Sequence, residues 1–355
     1  MKYDQSIQKS ALLGGLATEF VTMSESEAVQ IARTHFGIEG SATRFAAEKD
    51  DTFRISSTGG SRYILKAANP AEDLSAIDLQ LCVLTHLAAR SASLPVPGVI
   101  SSARGEQQFE YRDRAGQHRR IWMLTYLEGQ PLSEVRSTAA GREQIGKVLA
   151  RLRLALADFY HPHDSRVIAW DIKHLLSLEC LLGEVADAGR RKRLEAGLAR
   201  FTSIERHLAQ SRSQVLHNDF STSNIVVDLS TSDFVSGVID FGDVVRTSIA
   251  IDVSTALLSQ LPTEPVEGDI FANGRDLLNG YIAAADLTAQ ELSIIPHLVM
   301  GRIVAKSLLS TWLANSVPSN AAYFLRNTKQ GWHQLEWFLS RSEAEVSEQF
   351  LNLVM

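Results

Sequence analysis

Cysteine is nearly absent from the chain: Cys82 and Cys180 are its only two, far apart and each among apolar neighbours. That excludes a disulfide scaffold and predicts buried thiols in a reducing compartment. No Cys/His spacing of a structural zinc site occurs. Positive charge is also scarce, with 35 Lys and Arg against 41 Asp and Glu, a net charge of −6. The densest basic run, Arg190-Arg191-Lys192-Arg193, lies inside a helical pattern and reads as a solvated face, so no nucleic-acid partner is expected. Long uncharged apolar runs are missing too. Leu292 to Ala314 contains Pro296, His297, Arg302 and Lys306, which are costly in a bilayer, so it reads as a buried amphipathic helix and no membrane partner is expected. The apolar stretch Ala11 to Ala17 is broken by Gly14-Gly15 and argues against a signal peptide; a cytoplasmic protein is expected. Internal repeats and low-complexity segments are absent.

What is present is a chain of 355 residues with 45% hydrophobic content, enough for a large core and more naturally two lobes than one. Ser24-Glu-Ser-Glu27 has the capping-box pattern ahead of a helix to Phe36 with a stop at Gly37. Strand-like runs follow at 42–47, 52–57 and 63–67, separated by a polar turn at Glu48 to Asp51 and by Thr58-Gly59-Gly60. A helix is predicted over Leu74 to Ala89, then a hairpin of 107–113 and 118–125 about Ala115-Gly116. Gly129 and Pro131 then mark a turn suited to a hinge whose backbone groups meet a ligand edge. Beyond it, 139–159, 172–185 and 189–210 read as helices, and the chain is again helical from Asp252 to its end. The lobes are expected at 1–127 and 128–355.

The chemistry concentrates between residues 215 and 243. His217-Asn218-Asp219 followed by Asn224, and then Asp240-Phe241-Gly242-Asp243, give the order His-x-Asp-x-x-x-x-Asn ahead of a metal-binding tripeptide. Each acid stands at the edge of an apolar run, Val215-Leu216 before the first and Val235 to Ile239 before the second, so rigid strands would present both. Phosphoryl transfer needs one carboxylate to orient the attacking hydroxyl and accept its proton, and oxygen donors for a hard divalent cation. Asp219 suits the first task; Asn224 and Asp240 suit Mg²⁺. His217 reads as a loop organiser, and Asp252 as a buried or capping acid bracing the loop. Lys66, closing the strand Tyr63-Ile64-Leu65-Lys66, stands where a lysine grips nucleotide phosphates. No Glu occupies the helix after it, so Asp78 or Gln80 is left to position that lysine. Trp170-Asp171 reads as packing and capping, or as an aromatic and acid for a cation.

These motifs, with the short hinge Leu-Thr-Tyr-Leu-Glu-Gly at 124–129, resemble the aminoglycoside phosphotransferase and choline kinase superfamily over nearly the whole chain. Leu216-His-Asn-Asp219, Gly237-Val-Ile-Asp240-Phe-Gly-Asp243, Trp170-Asp171 and Ala321-Ala-Tyr323 are most similar to its hydroxylysine-kinase-like branch. The resemblance implies an α+β, protein-kinase-like, two-lobed fold with a small antiparallel sheet and a mainly helical second lobe. It also implies ATP or GTP as co-substrate, with the nucleotide meeting Lys66 and Gln80 and its adenine held by the Thr125 carbonyl and the Leu127 amide. Asp219 would be the catalytic base, with Mg²⁺ on Asn224 and Asp240. A Gly-rich phosphate loop is lacking, and Glu48 to Thr52 takes its place. An Ala-Pro-Glu segment is lacking as well, which excludes a peptide platform and implies a small acceptor. That acceptor would carry an amine and a hydroxyl, as in an amino alcohol or a hydroxylated amino acid, and meet Asp243, Trp170 and, through a carboxylate, Arg302. An aminoglycoside 3'-phosphotransferase-type resistance enzyme and a non-catalytic nucleotide-binding pseudokinase are the competing readings.

Overall fold

The computed structural model describes residues 12–13, 15–16, 18–46, 50–326 and 328–352. The chain divides into two compact units, one spanning Gly14–Glu128 and the other containing Gly129–Met355.

In the first unit, helix α1 (Glu25–Phe36) starts at Ser24, whose hydroxyl accepts from the Glu27 amide, and stops at Gly37 in the left-handed conformation, φ 68°. The reciprocal arm of the expected capping box is diverted. The Glu27 carboxylate accepts instead from the Arg114 amide at 2.8 Å and the Tyr111 hydroxyl at 3.3 Å, tying α1 to the hairpin. Strands β1 (Gly40–Phe45), β2 (Asp51–Ser57) and β3 (Arg62–Ala67) precede helix α2 (Leu74–Arg90), and β4 (Val99–Ile100), β5 (Gln108–Arg112) and β6 (His118–Thr125) follow it. They form one antiparallel sheet in the order β1-β2-β3-β6-β4, with β5 also paired to β6. Alternation puts Phe53, Ile55, Leu65, Ala67, Ile121 and Met123 into one core with Ala28, Ile31 and Ala32 of α1. Burying a side chain such as Phe53 contributes about 1.5–3 kcal/mol. Lys66, between Leu65 and Ala67, lies opposite Trp122 in the register and so belongs to the other face. The loop expected at Glu48 to Thr52 falls partly on 48 and 49, and the stretch Ala11 to Ala17 partly on 11, 14 and 17, outside the described residues.

The second unit is mainly helical. Helix α3 (Ala139–Ala155) is shorter than the expected 139–159 and lies against α6 (Ala272–Ile282). Glycine permits that contact: a Cβ on Gly146 would stand 1.9 Å from the Leu277 carbonyl oxygen, and one on Gly280 would stand 2.0 Å from that of Glu143. The segment Ile172–Glu184, expected to be helical, runs as successive 3₁₀ turns. Its buried residues are Ile172, Leu175, Leu178 and Leu181, a spacing of three that matches three residues per turn and favours the tighter helix. Cys180 on this segment is exposed and Cys82 on α2 is half-buried, so the expectation of two buried thiols fails.

Helix α4 (Ala188–Ala209) leads to the short strands. Strand β8 (Ser213–Leu216) pairs with β11 (Val245–Ser248), while β7 (Gln130–Pro131), β9 (Ile225–Val227) and β10 (Val235–Val238) form a second small sheet. Strand β11 is absent from the sequence reading because Val-Arg-Thr-Ser is too short for its alternation to stand out. Helix α5 (Ile249–Leu258) follows it directly. Helix α7 (Ala289–Ser316) has the length and apolarity to cross a membrane, the one such helix among the described residues, but 83% of its most apolar window is buried within the protein. Ile294 to Ala305 are all buried, so α7 is enclosed on every face rather than amphipathic as expected. Segments α8 (Ala321–Leu325), α9 (Thr328–Leu339) and α10 (Glu343–Leu351) lie against it.

Candidate active site

The second unit gathers its polar groups where β8, β9, β10 and α7 converge. After β8 the chain turns through Asn218, whose φ is 61°, and after β10 through Asp240, also at φ 61°. Left-handed backbone at a non-glycine residue is held only where surrounding contacts enforce it, and it clusters at functional sites.

His217 joins the two turns. Its ring is fully buried, its Nε2 donates to the Ile239 carbonyl at 3.0 Å, and its Nδ1 accepts from the Asp219 amide at 3.3 Å. The carbonyl partner requires the proton on Nε2 and the amide partner a lone pair on Nδ1, so the ring is neutral. Burial depresses the His217 pKa against the opposing pull of the Ile239 carbonyl and of Asp240. The ring centroid also lies 4.7 Å from that of Phe241. A neutral, enclosed imidazole is a brace rather than a base.

Asp219 keeps a side-chain exposure of 33% while both of its oxygens are engaged. Oδ2 accepts from the Asn224 side-chain amide at 2.6 Å, and the same nitrogen donates to the Asp219 carbonyl at 3.0 Å. Oδ1 lies 3.4 Å from Nη2 of Arg302. Since the nitrogen of Asn224 is committed to Asp219, its Oδ1 is left as an oxygen donor, and with the Asp240 carboxylate it makes the hard donor pair that a divalent cation prefers. The residues present therefore fit such an ion.

Arg302 was expected to meet an acceptor carboxylate. Its guanidinium has other partners: the carbonyls of Trp170 and Asn218, the latter at 3.1 Å, and the Asp219 carboxylate. The Trp170 ring lies under it at 5.9 Å, so Trp170 enters the site through this cation. Asp171 is buried and caps the 3₁₀ segment, accepting from the Lys173 amide at 3.1 Å and the Thr247 hydroxyl at 2.8 Å. Asp252, on α5, accepts from the Asn218 amide at 2.8 Å. Burial pushes its carboxyl up to about 6, against the Asn218 amide and the Arg302 charge. Asp243 is half-buried in the 3₁₀ turn Phe241–Asp243.

Three groups escaped the sequence reading. Arg166 donates to the carbonyls of Gly242 and Val244, the latter at 3.1 Å, and so holds the turn after Asp240. Arg246 pairs bidentately with Asp164, at 3.1 and 2.7 Å, fastening the same region. Lys306 follows Arg302 along α7 by one helical turn. The signal for Lys306 was its place in an apolar helix; neither Arg166 nor Arg246 carries a local signal.

In the first unit, Lys66 has the Asp50 carboxylate 3.8 Å from its Nζ and the Trp122 ring at 5.7 Å. Asp50 is a partner the sequence did not nominate. Gln80 is buried on α2. Thr125 ends β6, its amide donating to the Gly98 carbonyl and its hydroxyl accepting from the Gly98 amide, both at 2.8 Å. Leu127 follows it, half-buried.

Comparison with known proteins agrees with the architecture. Residues 41–287 match the model of the phosphotransferase enzyme family, APH. Hydroxylysine kinase of Mus musculus is 26% identical, over 92% of each chain. Homoserine kinase of Chelativorans sp. (strain BNC1) is 28% identical, over 77% of this chain and 80% of its own length. Among solved structures, an amicoumacin kinase in complex with AMP-PNP and Ca²⁺ shares the fold with a TM-score of 0.65 at 19% identity, covering 86% of this chain and 93% of its own. The kinase-like α+β fold expected from the motifs is thereby shown.

Proposed function

We propose that this chain, which belongs to the phosphotransferase enzyme family and is a phosphotransferase with an alcohol group as acceptor, moves the γ-phosphate of ATP to the hydroxyl of a hydroxylated amino acid or amino alcohol. The acceptor class is supported by similarity to the hydroxylysine and homoserine kinases, and ATP by the AMP-PNP complex of the structural neighbour.

The observation that carries the reading is the lock between Asn224 and Asp219. Asp219, held by Asn224 and facing Arg302, orients the acceptor hydroxyl and takes its proton as the oxygen bonds to the γ-phosphorus and ADP departs. The Arg302 guanidinium stands 3.4 Å from Asp219 Oδ1 and fixes the orientation of that carboxylate. Asn224 and Asp240 would hold Mg²⁺, which when bound supplies charge neutralisation for the phosphates. His217 and Asp252 hold the loop in register. Lys66 and Gln80 serve the phosphates, the Thr125 carbonyl and Leu127 amide the adenine edge, and Asp243 the acceptor ammonium. Residues 1–127 thus form the nucleotide lobe and 128–355 the catalytic lobe, in a cytoplasmic enzyme that draws on cellular ATP.

The test is ATP consumption with Mg²⁺ over a panel of hydroxylysine, homoserine, ethanolamine, choline and aminoglycosides, with Asp219→Asn as blank. Turnover with one hydroxylated amine and none in the blank is expected. Activity confined to aminoglycosides, or equal in the blank, would overturn the reading.

A further inference from the structure

Helix α7 turns two cations toward one face. Arg302 and Lys306 are separated by one turn, the spacing that stacks side chains on the same side of a helix. Arg302 touches Asp219, so Lys306 flanks the same carboxylate. Lys306 is half-buried, and among the described residues it has neither a hydrogen bond nor a carboxylate within ion-pairing distance. Arg302 differs, since its donors are taken by two carbonyls and by Asp219. A third cation, Arg326, follows the segment Ala321–Leu325 that packs on α7, and stacks on Tyr323 at 3.7 Å from the ring centroid. Burial, Arg326 and Arg302 all depress the Lys306 pKa, and only Asp219 opposes them.

A largely enclosed ammonium among two arginines is an electrostatic surplus, stabilised when an anion arrives. Acids, Asp240 and Asp243, stand in the turn after β10, and both act on His217, which accepts from the Asp219 amide. A ligand bearing both charges, with its hydroxyl at Asp219, answers this pattern; a plain amine leaves Lys306 unpaired. We propose that Lys306 binds the carboxylate of the acceptor, so that the enzyme selects hydroxylated amino acids over the corresponding amino alcohols. This rests on the kinase reading above and specifies its acceptor.

The test is calorimetric binding, which does not depend on turnover. Homoserine is compared with 3-aminopropan-1-ol, and 5-hydroxylysine with 1,5-diaminopentan-2-ol, each pair differing by one carboxylate. For at least one pair the native chain should prefer the amino acid by about ten- to a hundredfold, as a charge-assisted contact provides. Lys306→Met should level that preference while leaving ATP affinity unchanged, and Lys306→Arg should retain most of it; thermal unfolding of both variants checks the fold. Equal affinity within both pairs, no binding of either pair, a preference that survives Lys306→Met, or a loss that falls on ATP instead would each overturn the assignment. Acceptors that bind with the expected preference but consume no ATP would overturn only the kinase reading.

Discussion

Each unit contains a buried arginine, and the two differ in what they do. Arg119, in the sheet unit, has no side-chain exposure and pairs with Asp51 at 2.8 Å and Asp113 at 3.3 Å, neither acid more than 2% exposed. Burial opposes the Asp113 charge, but hydrogen bonds from Gln117 and Arg119 outweigh it and hold the carboxyl below the usual range. Arg302, in the helical unit, is 6% exposed and the acid it pairs with, Asp219, is 33% exposed. In the first cluster both acids are enclosed, and Asp51 takes a second cation, Arg44, at 2.6 Å. The second has an acid with a face left open to a ligand. Burial of the cation is therefore no guide to role; what separates structure from function is whether its partner can still meet something else.

Substitutions can break this contrast. Asp219→Asn should lower kcat by about 10²–10⁴-fold with the fold and nucleotide binding intact, since the proposed general base is removed while Asn224 and Asp240 remain. Steady-state kinetics beside nucleotide titration check it, and a loss of nucleotide binding to match would contradict the role. Arg119→Met should cost about 3–5 kcal/mol in urea unfolding, because the enclosed Asp113 loses its cation and Asp51 is left with the part-exposed Arg44. Arg302→Met should show the reverse balance, a fall in kcat of about 10–100-fold with a smaller loss of stability, because Asp219 can turn to water. If the two arginine variants lose stability equally, the contrast fails.

The smallest effect concerns Asp252, whose carboxyl is pushed up to about 6 by burial. A carboxyl raised on folding costs stability above its folded value and nothing below the ordinary carboxylate range. Asp252→Asn should therefore stabilise the chain by about 1 kcal/mol above pH 6, after allowance for the weakened bond to the Asn218 amide, with the gain vanishing near pH 4. Thermal unfolding across pH 4–8 measures it, and a gain at low pH instead would reverse the sign.

Much of the fold was legible in local pattern. Helix α1, the strands β1 to β3 and the hairpin of β5 and β6 follow from alternation and turn residues, because each segment shows its buried face within a few residues. The three-residue spacing of Ile172, Leu175, Leu178 and Leu181 was also in plain view, and it marks the tighter helix within a segment expected to be helical. The all-round burial of α7 could not be read locally, since what encloses it comes from segments distant in the chain.

At the site, the chain order of His217, Asp219, Asn224 and Asp240 determined which chemistry was available, because phosphoryl transfer needs a base, an amide oxygen and a metal acid in loops between strands. Tertiary structure alone decided how those groups are held. Arg302 lies 83 residues beyond Asp219 in the chain, and Arg166 reaches Gly242 across 76. Such contacts leave no mark in local composition, because what brings the residues together is the packing of α7 and of the 161–166 loop around the short strands.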